Sequence, residues 1–237
     1  MRVEIVPCLA DNYAYLIIAP NGEAAIVDPS EPEPVMDALR QTGATLRAIW
    51  NTHHHEDHTG GNAALCEAFP DLAVVAHTRD QGRVPCQTHG VEDGDTLCLS
   101  DLQARILYNP GHTLGAVTYV VGGAAFTGDT LFMAGCGRLF EGDPAMMFAS
   151  LMRIGTLPPE TRVYPGHEYA VRNLDFARSV DRNNLTVATR LEEAKRLRER
   201  GQPTVPSTIA KEWAYNPFLR AADVATFAEL RARRDLF

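Results

Sequence analysis

The chain has 237 residues, 45% hydrophobic and 22% charged, with 30 acidic against 22 basic side chains and a formal net charge of -8. That length holds one large domain, or a main domain with a small appendage. The acid excess lacks the positive field of a nucleic-acid binder, and no window approaches the ~20 apolar residues that span a bilayer, so neither nucleic acid nor membrane is expected as a partner. The first residues, Met1-Arg2-Val3-Glu4-Ile5-Val6-Pro7, carry no signal-peptide pattern, and a cytoplasmic location is expected.

Apolar runs at 3–6, 13–18 and 24–27 predict the opening strands, with Asn21-Gly22 as the hairpin turn between the second and third. Asp28 ends the third run; its commoner role before Pro29 is turn formation, the alternative being support of a nearby metal ligand. A short helix at 35–41, closed by Gly43, leads to a buried strand at 46–51, and 63–69 reads as helical. Further strands are predicted at 73–76, 96–99, 103–107, 116–121, 124–126 and 162–164, with a helix at 144–157 that Asp143 caps and Pro144 begins. From residue 169 the composition changes to amphipathic helices at 184–200, 208–215 and 223–234. Many strands with few intervening helices predict two packed sheets covered by helices, over 1–168, with 169–237 as a helical appendage packed on them.

The densest chemistry lies in Thr52-His53-His54-His55-Glu56-Asp57-His58-Thr59-Gly60-Gly61-Asn62, where four histidines and an aspartate fall within six positions. Residues two apart in an extended segment share a side, so His53 and His55 reach one ion, and a tight turn redirects Asp57 and His58 to a second. Imidazole nitrogen and carboxylate oxygen suit zinc, iron or manganese. Gly60-Gly61 is expected to free the backbone for a turn behind the ligands. His54 points away from its neighbours in that geometry, and His77 and His89 lack the context of a ligand.

Three further stretches each place a histidine or aspartate beyond a glycine at a strand end: Asn109-Pro110-Gly111-His112-Thr113, Phe126-Thr127-Gly128-Asp129-Thr130 and Val163-Tyr164-Pro165-Gly166-His167-Glu168. Each alone is an ordinary turn; together they suggest one rim of a sheet fold. The five cysteines, Cys8, Cys66, Cys86, Cys98 and Cys136, are odd in number and form no Cys-x-x-Cys pair, which predicts free thiols, with only Cys136 in a glycine-rich loop able to face a site.

These motifs, in this order, resemble the metallo-β-lactamase superfamily. The resemblance implies an α/β (α+β) fold, a four-layer αββα sandwich with a C-terminal helical appendage, and a dinuclear metal site. By motif, His53, His55 and His112 would hold one divalent ion and Asp57, His58 and His167 the other, with Asp129 bridging; Asp57 and Asp129 would be the catalytic carboxylates, beside a hydroxide shared by two ions, zinc before iron or manganese. The segments Gly135-Cys136-Gly137-Arg138-Leu139-Phe140-Glu141-Gly142, 203–210 and Asn216-Pro217-Phe218-Leu219-Arg220 are similar to the glyoxalase II (hydroxyacylglutathione hydrolase) family, which hydrolyses S-D-lactoylglutathione to D-lactate and glutathione.

On that resemblance Arg138, Arg231, Arg234 and Tyr169 contact glutathione, as does position 140, where Phe140 stands in place of the tyrosine of some members. Without it, Arg231 and Arg234 read as a solvated basic end of the last helix. Glu56 departs from the residue, often aromatic, that others carry between the ligands. A monomer acting on a small glutathione thioester is expected. The alternative within the superfamily is a glutathione persulfide dioxygenase with mononuclear iron, which would leave Asp57, His58 and His167 as spectators.

Overall fold

In the computed structural model, which describes residues 1–237, the chain divides into two compact units: Met1–Tyr108 with Gly115–Gly122, and Asn109–Leu114 with Gly123–Phe237. The first unit opens with three antiparallel strands, β1 (Arg2–Cys8), β2 (Asn12–Ile18) and β3 (Glu23–Val27). The expected hairpin is present: Gly22 takes φ +86°, and the Asn21 side-chain oxygen accepts from Glu23 N–H at 3.1 Å.

Parallel neighbours need crossovers, and here the first two are helices. Helix α1 (Pro32–Thr42) links β3 to β4 (Thr45–Trp50), and α2 (Glu56–Thr59) with α3 (Asn62–Ala68) link β4 to β5 (Ala73–His77); β6 (His89–Val91) completes the six-stranded sheet. Gly43 stops α1 in the left-handed region at φ +68°, its N–H bonded to Leu39 O. Val35 and Leu39 of α1 and Leu65 of α3 pack with Leu16, Ile26, Ile49 and Val74 in one apolar core. Side chains alternate along β4, so Trp50 faces the other way from Ile49. Trp50 stacks on Tyr119 of the antiparallel set β7 (Thr96–Leu99), β8 (Leu102–Tyr108) and β9 (Val117–Val121), with ring centroids 5.3 Å apart. The Tyr119 hydroxyl donates to Asn51 O at 2.9 Å, which ties β9 to the end of β4. Both faces of the first sheet are therefore covered, as its near-continuous apolar strands require.

In the second unit the wholly buried β10 (Ala124–Gly128) is followed by the short hairpin β11 (Leu131–Phe132) and β12 (Gly135–Cys136), then α4 (Pro144–Gly155). Asp143 caps α4 by accepting from Met146 N–H at 2.8 Å, as the Asp-Pro start predicts. Strand β13 (Arg162–Pro165) pairs in parallel with β10 and antiparallel with β14 (Ser207–Thr208). The tail has four helices where three were expected: α5 (Ala170–Val180), α6 (Leu185–Glu199), α7 (Ile209–Tyr215) and α8 (Val224–Asp235). Helix α5 escapes the apolar-spacing test because its buried face includes Asn173 between Ala170 and Ala177. No helix is long and apolar enough to cross a membrane.

Candidate metal centre

In the first unit the histidine motif follows β4 and is anchored by one carboxylate. Asp28 is buried at φ +49°, and its two oxygens accept from Thr52 N–H and Thr52 Oγ1, both at 2.7 Å. Its Oδ2 also lies 2.9 Å from His58 Nδ1. The turn-forming reading of Asp28 is therefore corrected: the left-handed backbone turns the carboxylate inward onto the loop. His53, His58 and Asp28 bring their polar atoms within 4.8 Å of one another, but the Asp28 oxygens are already engaged, so it orients a ligand and does not supply one.

With His58 Nδ1 held by Asp28, its Nε2 is the nitrogen left to face a metal, and it lies 3.6 Å from Asp57 Oδ2. His53 Nδ1 is 3.0 Å from Thr52 Oγ1, which leaves Nε2 directed at His55 Nδ1, 3.1 Å away. Two nitrogens at Zn–N distances of 2.0–2.1 Å on a tetrahedral ion are separated by roughly 3.3 Å. The His53–His55 spacing thus fits a shared ion. Asn12 donates to Asp57 O at 2.9 Å and to Asp57 Oδ2 at 3.1 Å, and Asn51 donates to His58 O at 3.0 Å; neither support was visible in the sequence.

Asp57 and His58 sit on the single turn of α2, a helical device in place of the tight turn expected. Gly60 and Gly61 keep ordinary right-handed backbone, so conformational freedom is not their role. A Cβ at Gly60 would lie 2.6 Å from Ser30 O, and one at Gly61 2.7 Å from Pro29 O. They are required because the segment after Asp28 passes directly against them.

His54 is turned away from His53 and His55 as expected, with Nδ1 3.1 Å from the buried Asp80 carboxylate and Nε2 2.5 Å from Arg83. His77 is structural: it is buried and stacked on Tyr108 at 4.5 Å, and burial pushes its pKa down. His89 is exposed on β6.

In the second unit Asp129 Oδ2 lies 3.4 Å from His112 Nε2 and 3.4 Å from His167 Nε2. One carboxylate oxygen equidistant from two imidazole nitrogens suits a shared ligand. His112 Nδ1 is fixed 2.9 Å from Arg138 O, and His167 stacks on Tyr169 with ring centroids 4.7 Å apart, while the edge of exposed Phe140 meets His112 at 5.2 Å. The 131–138 segment closes tightly on these groups: a Cβ at Gly137 would lie 1.9 Å from Asp129 O and 2.9 Å from His112 Nδ1.

The tail helices grip that segment atom by atom. Asn216 donates to Phe132 O and Gly135 O at 3.2 and 3.0 Å, Asn173 donates to Met133 O at 3.1 Å, and Ala134 N–H donates to Glu212 at 2.9 Å. Arg231 donates to Cys136 O at 2.8 Å. Hydrogen bonds to five successive residues hold the loop that in turn holds His112.

Arg231 and Arg234 are therefore not a solvated helix end. They share the buried face of α8 with Phe227, and their guanidinium groups lie 5.3 Å from the Phe218 ring centroid and 5.9 Å from that of Phe176. Arg234 Nη2 donates to Asn173 at 3.1 Å, and Arg231 pairs with Asp235 at 2.9 Å. Arg138 is exposed beside Asp235, 3.6 Å away. Burial, with like charge from Arg172, Arg231 and Arg138, pushes the Arg234 pKa down to about 10. Arg138, Arg172 and Arg231 all lie close enough to act on the charge of Arg234, with Asp235 as the opposing charge, and this positive excess favours an anionic ligand. Arg172 was not found in the sequence because α5 itself was not. Cys136 is buried, its thiol pushed up to about 11 by burial, and is a packing residue.

Residues 10–86 and 88–167 match the family model described as the metallo-beta-lactamase superfamily, and residues 168–237 match that described as hydroxyacylglutathione hydrolase C-terminus. The chain is 46% identical over 252 residues to the hydroxyacylglutathione hydrolase of Thermosynechococcus vestitus, with 100% of both chains covered, and 46% identical over 248 residues to that of Maricaulis maris, covering 98% of this chain and 96% of the relative. Among solved structures, ETHE1 from Myxococcus xanthus is similar with a TM-score of 0.76 and 28% identity, covering 98% of this chain and 90% of that one. TTHA1623, crystallised in a di-iron-bound form, has a TM-score of 0.66 and 29% identity, covering 92% of this chain and 100% of that one. The fold is the metallo-β-lactamase fold, its His/Asp clusters suit divalent metal ions, and the chain belongs to the hydroxyacylglutathione hydrolase family.

Proposed function

We propose that the chain is a dinuclear-metal thioester hydrolase that converts S-D-lactoylglutathione to D-lactate and glutathione. The observation that carries this reading is the Asp129 carboxylate oxygen, equidistant at 3.4 Å from His112 and His167 and so suited to bridge. On the family's pattern His53, His55 and His112 hold one ion, and Asp57, His58 and His167 the other. Divalent ions held this way supply Lewis acidity, polarising a thioester carbonyl and acidifying water so that it is a nucleophile near neutral pH. Nitrogen and carboxylate donors without thiolate favour zinc, with iron and manganese able to replace it.

The protein's own groups then have defined tasks. Asp28 fixes His58 so that Nε2 faces inward, and Arg138 O does the same for His112. The leaving thiolate has a parent pKa of about 8.5, so it departs without a strong acid beside it. Residues 1–168 carry the chemistry and 169–237 bind glutathione, whose carboxylates suit the cluster of Arg138, Arg172, Arg231 and Arg234. Phe140 offers an apolar edge where a hydroxyl contact is absent, and Tyr169 offers its hydroxyl. Five free cysteines support a reducing, cytoplasmic setting, and the enzyme is read as a monomer.

The test is free-thiol release from S-D-lactoylglutathione by the metal-loaded protein, against S-D-lactoyl-N-acetylcysteamine as a truncated control. Fast release from the first and slow release from the second is expected; equal rates would remove the glutathione-binding role of the tail. The second reading is the superfamily's alternative, an iron oxygenase acting on glutathione persulfide. Oxygen uptake with that substrate, and no thiol release from the thioester, would establish it instead.

A further inference from the structure

We propose that Cys66 and Cys86 form an oxidisable thiol pair, a site for thiol–disulfide exchange with a small-molecule disulfide such as glutathione disulfide. The spacing of the cysteines in sequence gave no sign of it, since twenty positions separate them and neither lies in a Cys-x-x-Cys motif.

The fold brings them together through α3. Asn62 and Cys66 are four residues apart on this helix and so share a face. Asn62 Nδ2 donates to Pro85 O at 3.1 Å, which pins the residue before Cys86 to that face. The backbone on both sides is tied down, Val84 N–H to Asp80 O at 3.1 Å and Thr88 N–H to Val74 O at 2.9 Å. Between these anchors Cys86 adopts φ +61°, a left-handed conformation uncommon for a residue with a side chain. These anchors place Cys86, exposed, beside half-buried Cys66, near enough for its thiol to add to the upward push that burial gives the Cys66 pKa.

Their different exposure assigns the order of events. Cys86 meets the incoming disulfide, and its thiolate attacks one sulfur of glutathione disulfide, breaking the S–S bond and expelling one glutathione thiolate. Cys66, as thiolate, then attacks the Cys86 sulfur of the mixed disulfide and expels the second glutathione. Two cysteine thiols are oxidised to one disulfide, one glutathione disulfide is reduced to two glutathione molecules, and two protons pass through solvent to the departing thiolates. Burial pushes the Cys66 thiol up to about 11, which keeps Cys66 from reacting first; in the second step the attack is intramolecular, and that proximity offsets the small thiolate fraction.

The remaining cysteines supply the controls. Cys8 and Cys136 are buried, while Cys98 is exposed on β7. Cys98 should therefore stop at the mixed disulfide. The experiment is non-reducing peptide mapping with intact mass after incubating the full chain with glutathione disulfide. The expected result is a Cys66–Cys86 linkage with loss of both thiols to alkylation and glutathione retained on Cys98. Cys66→Ser is expected to leave glutathione on Cys86. A wild-type chain that keeps glutathione on Cys86 with Cys66 still alkylated, a Cys86–Cys98 linkage, or an unreacted Cys86 would each overturn the pair. The wild-type map decides without any variant, so a poorly folding serine variant does not blunt the test.

Discussion

The two candidate ligand sets are built in opposite ways. In the first unit four donors fall within six consecutive residues, and one carboxylate, Asp28, orients the loop through Thr52 and His58. In the second unit His112, Asp129 and His167 come from three separate strand ends, and the loop beside them is held by side chains as distant in sequence as Asn216 and Arg231. Local geometry thus organises one set, while the other depends on helices that lie much later in the chain. The helical tail is consequently part of the construction of a ligand set as well as a surface for the substrate.

The largest expected effect follows from removing the residue that the second set converges on. Asp129→Ala leaves His112 and His167 without their common oxygen. Changing a group that merely orients a ligand costs about 10–100-fold in metal affinity or activity, so loss of a shared ligand should reduce activity below about one-hundredth, with a parallel fall in metal content. Full turnover with two metals bound would remove the bridging role. Asp28→Asn tests the first set more gently. The amide keeps the shape of the carboxylate but loses the charge facing His58 and an acceptor for Thr52, and the expected cost is about 10–100-fold in metal affinity. Added metal should restore much of the activity, because the ligands themselves remain. Unchanged affinity would return Asp28 to the turn-forming role.

How far each region was legible follows the same division. The grouping of His53 with His55 and of Asp57 with His58 could be read directly, since spacing within one loop needs no knowledge of the rest of the fold. The glycines beside it were misread: the requirement at Gly60 and Gly61 is contact with Pro29 and Ser30, a tertiary fact absent from any local pattern. In the second unit the individual motifs were visible, and so was the capped start of α4, because Asp143-Pro144 carries its own signal. Helix α5 was not, and with it went Arg172 and Asn173. The burial of Arg231 and Arg234 was equally hidden, because an arginine that satisfies backbone carbonyls looks in sequence like one that faces water. Proximity of Cys66 and Cys86 depends on α3 folding back on the segment at 85, and spacing alone could not reveal it.

The smallest expected effect concerns how the tail grips the 131–138 loop. Glu212 is fully buried, and its carboxylate meets four donors: Ser207 Oγ and the Tyr215 hydroxyl on one oxygen, Ala134 N–H and Asn216 Nδ2 on the other. Burial pushes its pKa above the ordinary 4.5, and those hydrogen bonds oppose the rise. A raised folded-state pKa means that the folded chain binds the proton more tightly than the unfolded chain. This contribution to stability is therefore fully present below pH 4.5 and is lost as pH rises through the folded value. Glu212→Gln fixes a neutral group there, with its oxygen toward Ala134 and Asn216 and its amide donating to the two hydroxyls. The urea midpoint of the wild type should fall relative to the variant as pH increases from 4.5, with the gap closing at the acid end. The opposite slope, with the variant losing ground as pH rises, would mean that the four donors outweigh burial and that an ionised Glu212 holds the loop.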